Sequence, residues 1–391
     1  SITTAMSFLT FLVNDIVPIL RFGLITSLGV VFTLFIAILI YAISLDKNFN
    51  ESRPVKVIQQ FTDTIISFLK NGQRSKSFHF FMTILIIVGL YGIANVQIDN
   101  YLTDEINKKS KMYQQTAFFD SHFGGIKPIT IFLEKENVSD LEVLSQIKKS
   151  IKRLGFVVDF SNTNTTSLML EQLGFTDQDL VDKYFYICRS SDEGSLLTLE
   201  KLKSLENEYT LSGLEFNYSG AGYLFDILGN DLTRQLIFVL LIAIFSIGLV
   251  FFLLNNFDFN YFIIAIVPNL TPIVVCVGLL YLNDFYFSLS NAFIFTVVFG
   301  LIIDDSIHLI SAYANARKRK ISKLESLDLV VSKTGDAILK TTLIVIICLF
   351  PLSLSEFKSV SQFSVISILS AFIAVLFDLV YLPLIIKRLT K

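Results

Sequence analysis

Cysteine is scarce in this chain of 391 residues, which contains three cysteines and no C-x-x-C pair. Cys276 and Cys348 fall in apolar runs, and Cys188 stands alone in a polar region. No cluster of cysteine and histidine exists in the sequence. The sequence therefore indicates neither a disulfide framework nor a zinc site, and we expect no metal or cofactor.

Charged residues are also few, at 17% of the chain, whereas soluble domains carry about 25%. The chain is 53% hydrophobic, and its mean hydropathy is +0.63. This composition predicts a membrane protein that carries a soluble part. The net charge is −2, and no basic cluster is interleaved with aromatic residues, so nucleic acid is not an expected partner. No G-x-S-x-G motif or triad spacing is present, so hydrolysis is unsupported and we do not expect an enzyme.

Long apolar runs are abundant, and each membrane crossing needs roughly 17–25 residues. Seven runs meet that length, at 22–45, 79–97, 235–255, 261–282, 288–312, 337–355 and 361–386. Residues 1–14 predict an eighth helix that has lost its first turns. The chain starts at Ser1 inside an apolar stretch and shows no signal peptide, so we expect it to be the C-terminal part of a longer polypeptide.

Basic residues are concentrated in three segments that the count of spans places on one side of the membrane. They are the amphipathic stretch 46–78, the run 317–320 and the tail 387–391. The positive-inside rule makes that side cytoplasmic, in a multi-pass protein of the cytoplasmic (inner) membrane. We expect 46–78 to lie on the cytoplasmic leaflet as an amphipathic helix. The large connection at 98–234 then lies outside the cytoplasm.

This connection has the pattern of an α+β domain. Residues 128–133 and 214–218 predict strands, 138–154 predicts a helix, and 220–222 predicts the turn before a helix that runs into the membrane. We expect ferredoxin-like βαβ units. The predicted fold class is a polytopic α-helical membrane protein with an extracytoplasmic α+β domain of the porter type.

Two adjacent acids, Asp304 and Asp305, lie in the middle of the span at 288–312. A charge at this depth costs at least roughly 2.5–3.5 kcal/mol, so such residues are usually functional. His308 follows at a spacing that places all three on one side of a helix. A proton relay is the favoured interpretation of the acids, against a structural carboxylate paired with a neighbouring helix. For His308, a relay role and a polar residue at the helix end are equally supported.

Neighbouring polar residues have two interpretations each. Thr341 and Thr342 are candidates to hydrogen-bond the acids, although threonine in a membrane helix commonly bonds its own i−4 carbonyl. Gly300 is expected to permit close helix packing. Asp378 is interpreted as an interfacial salt-bridge or cap residue, and Lys340 as a lysine that extends to the cytoplasmic interface.

An internal repeat joins the two ends of the chain. Its landmarks are Thr3-Thr4, Asn14-Asp15 and Phe22-Gly23 in the first copy, and Thr341-Thr342, Ser355-Glu356 and Phe363-Ser364 in the second. The second copy is three residues longer between its landmarks. Recurrence at a separation near 340 residues suggests a transporter built from two similar halves.

Three linked motifs resemble the RND superfamily of transporters, in its MMPL/Patched-like branch of lipid or hydrophobe exporters. Residues 300–308 read GLIIDDSIH against that branch's G-x-x-x-D-[DYF]-x-I-H, residues 335–341 read GDAILKT against G-x-A-I-x-x-T, and residues 378–383 read DLVYLP against D-L-x-x-L-P. The resemblance implies one unit of the repeat. It divides the chain into the last two helices of a preceding unit (1–45), a cytoplasmic linker (46–78), a helix (79–97), the extracytoplasmic domain (98–234), a five-helix bundle (235–386) and a cytoplasmic tail (387–391).

The resemblance further implies coupling to a proton gradient, with Asp304 as the relay carboxylate, aided by Asp305, and a matching acid from the other half. The expected function is proton-driven export of lipids or other hydrophobic molecules, with the lipid bilayer and the cargo as partners and a homo-oligomer as an open possibility. An alternative is a non-transporting sterol or lipid sensor, or an assembly factor. A protein-export auxiliary related to SecDF is a third interpretation, disfavoured because the N-D-T-V-V-x-F-D-R type of run is missing.

Overall fold

The computed structural model describes residues 2–13, 17–44, 53–72, 75–134, 141–161 and 183–389. The chain forms two compact units. The helical unit comprises Ser1–Gln97, Arg234–Ser355 and Ser359–Lys391. The α/β unit comprises Ile98–Thr233 and Glu356–Lys358.

Ten helices carry the helical unit in the described part of the chain. They are α1 (Ile2–Leu9), α2 (Val17–Ser44), α3 (Arg53–Gly72), α4 (Lys76–Asn95), α8 (Ala221–Leu254, which starts in the α/β unit), α9 (Phe259–Leu282), α10 (Leu289–Lys318), α11 (Lys323–Leu349), α12 (Lys358–Leu376) and α13 (Leu382–Leu389). A π-turn, Phe377–Tyr381, joins α12 to α13. Seven helical segments in the described residues are long and apolar enough to cross a membrane, which confirms the seven predicted runs.

The helix α11 begins earlier than the apolar run at 337–355 predicts. Ser322 caps it, because its hydroxyl accepts from the Glu325 backbone N–H and donates to the Glu325 carboxylate at 2.7 Å. Ser-x-x-Glu is the sequence pattern of a capping box, and here the Ser322 hydroxyl satisfies one helix-terminal donor. The cap therefore adds polar turns that hydropathy does not reveal.

The internal repeat predicted from the sequence is also present in the structure. In the first copy α1 continues into a 3₁₀ segment, Thr10–Val13, before α2, and in the second α11 continues into Phe350–Leu354 before α12. A Cβ on Gly23 would lie 2.6 Å from the carbonyl oxygen of Phe8, fifteen residues earlier. Ser364, at the matching position, donates to the carbonyl of Leu349, also fifteen residues earlier, at 2.7 Å. In both copies, the second helix therefore contacts the carbonyl of a residue fifteen positions earlier.

Helices α4 and α9 cross at glycines. A Cβ on Gly278 would lie 2.5 Å from the Cα of Gly89, and a Cβ on Gly92 would lie 2.5 Å from the Cα of Gly278. Backbones approach this closely only where side chains are absent. The packing role assigned to Gly300, which is buried in α10, stays a prediction, whereas this crossing escaped the sequence analysis.

The amphipathic helix expected within 46–78 is α3, although residues 46–52 and 73–74 lie outside the described part. It packs on α11 through polar contacts: the hydroxyl of Thr62 donates to Asp336 at 2.7 Å, and Lys70 pairs with Asp328 at 2.7 Å. Lys340 pairs with Asp336 at 2.7 Å and donates to Gln59 of α3. Its extension to the cytoplasmic interface stays a prediction.

The α/β unit contains α5 (Lys111–His122), β1 (Lys127–Glu134), α6 (Leu141–Arg153), β2 (Val157–Ser161), β3 (Lys183–Ser190), α7 (Ser195–Tyr209) and β4 (Phe216–Ser219). The sheet order is β2-β3-β1-β4, and each neighbouring pair is antiparallel. A βαββαβ chain in this order is the ferredoxin-like fold. The structure confirms that prediction, and residues 138–140 of the predicted helix lie outside the described part.

Helices α6 and α7 cover one face of this sheet. Alternate residues of β1, Ile129, Ile131 and Leu133, are buried beneath Ile147 and Leu205. Cys188 lies in the same core, and burial raises the pKa of its thiol to about 12. The thiol therefore stays protonated and packs as a small apolar residue.

A bulge in β2 places Asp159 beside Arg189 of β3. The register shifts between Val158 and Phe160, and Arg189 donates twice to Asp159, at 2.6 and 2.7 Å. The side-chain hydrogen bond from Arg189 holds the pKa of Asp159 below its ordinary value of 3.8. The bidentate pair fixes the register of an edge strand.

A lysine is fully buried at the start of β1. The Lys127 Nζ lies 2.8 Å from Asp226 Oδ1 and 3.2 Å from Asp192 Oδ1. Asp192 also accepts the backbone N–H groups of Leu102 and Thr103. A buried ammonium needs such partners, and this cluster ties four segments of the α/β unit together.

Candidate functional site

The acid pair lies near the middle of α10. Ser288 caps this helix by accepting from the Asn291 backbone N–H. The side chains that follow, from Ile294 to Ile303, are almost all buried, and Asp304 and Asp305 are half-buried. The apolar sequence thus builds a long buried helix that carries two carboxylates at depth.

Asp304 contacts the first copy of the repeat. The hydroxyl of Thr4, on α1, donates to Asp304 Oδ2. Thr4 is buried, and beyond it the ring of Phe8 stacks on that of Phe11, which contacts Phe293 of α10. The sequence paired Thr4 with Thr342 through the repeat, but it did not show that Thr4 reaches the acid.

Asp305 contacts the second copy. The hydroxyl of Thr342, on α11, lies 3.3 Å from Asp305 Oδ2 and 2.8 Å from its own i−4 carbonyl, that of Ile338. Thr341 donates to the same Ile338 carbonyl at 2.8 Å. Both interpretations of the two threonines therefore occur here, and Thr342 combines them.

One cavity of about 320 Å³ gathers these residues. Its lining includes Asp304, Asp305, His308, Thr341 and Thr342. His308 is exposed, so its two interpretations stay open. The structure thus brings the five predicted polar residues to one place, whereas Gly300 is not among the lining residues.

The cavity also receives a residue that the sequence analysis missed. Ser367 of α12 lines it, and the Ser367 hydroxyl is buried with no hydrogen-bond partner among the described residues. Asp304 additionally faces a second cavity, of about 500 Å³, along α2, where Thr4, Thr26 and Thr33 are the other polar lining residues. Asp304 is therefore accessible from two sides within the helical unit.

Asp378 was misinterpreted as interfacial. It is 1% exposed, lies in the π-turn, and its Oδ1 lies 2.5 Å from the hydroxyl oxygen of Ser306. The sequence places Asp378 nine residues before Lys387, which suggests the membrane surface, but the turn directs the carboxyl inwards. The D-L-x-x-L-P motif was the signal that could have marked it.

In the described ranges, no group of three or more His, Cys, Asp or Glu side chains converges to form a candidate metal site. The polar groups that line the cavity are hydroxyls, carboxyls and the imidazole of His308. Its chemistry is hydrogen bonding and the gain or loss of protons.

Together, the repeated helix pair, the acid-bearing helix and the ferredoxin-like unit define a multi-pass membrane protein with an RND-like fold. Residues 205–390 match the MMPL family model, which confirms the resemblance drawn from the three motifs. No curated protein sequence matches the chain.

Two solved structures are similar to the chain. The hedgehog release protein Disp from the water bear Hypsibius dujardini matches with a TM-score of 0.64 and 14% identity, over 100% of this chain and 57% of Disp. This likeness confirms the fold. SecDF from a Thermus species matches with a TM-score of 0.48 and 14% identity, over 99% of this chain and 47% of SecDF, and carries no argument. The chain spans 57% of the length of Disp.

Proposed function

We propose that this protein exports lipids or other hydrophobic molecules and is driven by the proton gradient. One observation carries the proposal: the two adjacent acids of α10 receive hydroxyls from different copies of the repeated helix pair, Asp304 from Thr4 and Asp305 from Thr342. Acids at membrane depth are costly and usually functional. Here both are connected to helices that a change of protonation would affect.

The Thr342 hydroxyl has one proton and two acceptors. An ionised Asp305 attracts that proton strongly, since hydrogen bonds to charged acceptors are about twice as strong as neutral ones. A protonated Asp305 loses this advantage, and the hydroxyl then favours the Ile338 carbonyl, which is nearer. The link between α10 and α11 thus depends on the proton.

The same reasoning applies to Thr4 and Asp304, which link α10 to α1. A ligand shifts a conformational equilibrium by its differential affinity for the two states, and here the ligand is the proton. Protonation of the pair weakens both links to α10. Alternation between the two hydrogen-bonded arrangements is the step that we assign to the transport cycle.

Exposed apolar side chains on helix α5 of the α/β unit support a hydrophobic cargo. None of the twelve residues of α5 is buried, and Met112, Phe118 and Phe119 are 64%, 51% and 54% exposed. The rings of Phe118, Phe119 and Phe123 pack on one another. Clustered exposed apolar side chains mark sites that bind apolar partners.

The orientation follows from charge. The basic run 317–320 ends α10, and the positive-inside rule places it in the cytoplasm. We therefore assign the α/β unit to the outside of the cytoplasmic membrane, where a cargo leaving the bilayer would meet it.

The test is export by the whole gene product in cells. Lipids released to the medium are quantified by mass spectrometry for the parent protein, for Asp304→Asn and for the control Asp258→Asn, at matched membrane levels. Asp258 caps α9, and asparagine is an equally good cap, so the control keeps its export. Asp304→Asn removes release. Export that survives Asp304→Asn at normal expression contradicts a proton relay through Asp304. A parent protein that binds lipid without releasing any favours the alternative of a non-transporting lipid sensor.

A further inference from the structure

Asp378 is a second buried acid, distinct from the pair on α10. Its carboxyl is enclosed in the helical unit, and in the described part of the chain no lysine, arginine or histidine forms an ion pair with it. Its Oδ2 atom has no hydrogen-bond partner among the described residues. A buried carboxylate without a compensating charge is strongly unfavourable.

Two polar side chains meet at its other oxygen. Ser306 Oγ lies 2.5 Å from Asp378 Oδ1 and 3.2 Å from Asn269 Oδ1. The amide of Asn269 is oriented by its own donor, because Nδ2 donates to the Ala265 carbonyl at 2.7 Å. The Asn269 oxygen therefore faces Ser306, and three oxygens converge.

The number of hydrogen atoms available for these contacts indicates whether Asp378 is protonated. If Asp378 is ionised, the Ser306 hydroxyl supplies the one hydrogen for two oxygen–oxygen contacts, and one contact is left without any. If Asp378 is protonated, its hydroxyl donates to Ser306 Oγ, and Ser306 donates to Asn269. Every contact then has a donor and an acceptor.

We propose that Asp378 is a proton-binding carboxyl that is protonated in this arrangement and joined through Ser306 to Asn269. When the proton leaves Asp378 for solvent, the Ser306 hydroxyl turns from Asn269 to the Asp378 carboxylate. The loss of the proton therefore breaks the hydrogen bond between α10 and α9 and reverses the direction of the one between α10 and the π-turn.

The neighbours of Asp378 connect this switch to the acid pair. Ser306 directly follows Asp305 in α10, and a charge on Asp305 acts electrostatically on Asp378. Tyr381, in the same π-turn, contacts His79 of α4 at 3.0 Å. A role for Asp378 as a further proton station rests on the proposed function, whereas its protonation rests on the hydrogen-bond geometry alone.

Infrared spectroscopy of the purified whole protein near neutral pH tests the protonation. A protonated carboxyl has a carbonyl stretching band that shifts in D₂O. We expect Asp378→Asn to lose one such band, while the matched variants Asp304→Asn and Asp305→Asn keep it. An Asp378→Asn spectrum with the same protonated carboxyls as the parent protein overturns the proposal.

A pair of Ser306 variants tests the hydrogen bond if Asp378→Asn fails to fold. Ser306→Ala removes the acceptor of the Asp378 proton, so the band shifts in frequency. Ser306→Thr keeps a hydroxyl and keeps the band in place. A band that is unchanged in Ser306→Ala overturns the proposal.

A bound metal cation is the competing occupant, and thermal unfolding in sodium, in potassium and in an organic-cation buffer separates it from the proton. We expect the Tm of the parent protein to be the same in all three. Asp378→Asn keeps that Tm, because its amide donates to Ser306 as the acid does. A rise in Tm with sodium or potassium that disappears in Asp378→Asn overturns the proposal. These readouts need no transport, so they do not depend on whether Asp304→Asn blocks export.

Discussion

Single hydroxyl groups distinguish the two acids of α10. Asp304 and Asp305 are adjacent in sequence, yet their side chains reach different neighbours because consecutive residues of a helix point about 100° apart. Thr4 contacts the first acid and Thr342 the second. The acids are therefore separate links to separate helices.

Removing either hydroxyl should slow proton-coupled transport. Thr4→Val and Thr342→Val keep the side-chain shape and remove a hydrogen bond to an acid, which is worth about 1.5–3 kcal/mol when the acid is charged. We expect rates to fall about tenfold or more in transport assays of the purified protein, since 1.4 kcal/mol corresponds to about a factor of ten.

Thr296→Val is the matched control. Thr296 is buried in α10, and its hydroxyl bonds the Ala292 carbonyl of its own helix at 2.8 Å. Its loss should leave the rate near that of the parent protein. If Thr296→Val slowed transport as much as Thr4→Val and Thr342→Val, the slowing would not depend on contact with the acids.

The sequence revealed which residues are costly at membrane depth but not all of their contacts. Asp304 and Asp305 stood out because charge is rare in apolar runs. Asp378 looked interfacial because basic residues follow it, and a π-turn, which has no simple sequence pattern, determines its position. Contacts between distant residues, such as Thr4 and Asp304, need the tertiary structure.

At the scale of the element, helices α4 and α9 pack against each other at glycines, which have no side chain. The crossing of α4 and α9 depends on Gly89, Gly92 and Gly278. Gly278→Ala places a methyl group against the Gly89 backbone, and such overpacking typically costs about 1–3 kcal/mol. We expect a lower Tm in detergent.

Gly29→Ala is the control for that prediction, because a Cβ on Gly29 of α2 meets no atom within 4 Å. Alanine is the better helix former, so Gly29→Ala should leave the Tm unchanged or raise it. Equal destabilisation by the two variants would contradict the assigned crossing.

In the α/β unit, the buried ion cluster makes a second prediction about elements. Lys127→Met leaves Asp192 and Asp226 without their cation, and breaking a buried pair costs about 3–5 kcal/mol. We expect unfolding of the whole protein at much lower denaturant concentration.

Lys149→Met is the matched control, because Lys149 is exposed on α6. A surface change of this kind is usually within about 0.5 kcal/mol of neutral. If Lys127→Met were as stable as Lys149→Met, the cluster would not hold β1 to the start of α8.

The spacing of apolar residues, with periods of 2 and 3.6 residues, was sufficient to predict the ferredoxin-like elements around Ile129–Leu133 and Leu214–Tyr218. They were insufficient for β2 and β3, where residues such as Asp159 and Arg189 interrupt the apolar alternation. The early start of α11 was readable in principle, since Ser322 and Glu325 have the sequence pattern of a capping box.

At the scale of the molecule, the repeat is the feature that sequence and structure share most directly. Gly23 and Ser364 close equivalent helix pairs, although one does so by the absence of a side chain and the other by a hydrogen bond. Identity between the copies is low, so the repeat was recognisable only through spaced landmarks.

The orientation of the whole protein is testable by labelling. In a Cys348→Ser background, which removes the exposed cysteine, Lys149→Cys and Arg319→Cys place one thiol in each region. We expect a membrane-impermeant maleimide to label Lys149→Cys in intact cells and Arg319→Cys only after permeabilisation. The reverse pattern would contradict the assigned topology.

Proton flux in proteoliposomes tests whether the acid pair carries protons. The purified whole protein is reconstituted with a trapped pH-sensitive dye, and a pH gradient is imposed. We expect proton entry with the parent protein and with Asp258→Asn, and entry reduced to the protein-free leak with Asp304→Asn. Proton entry through Asp304→Asn at the parent rate would contradict proton transfer by the acid pair.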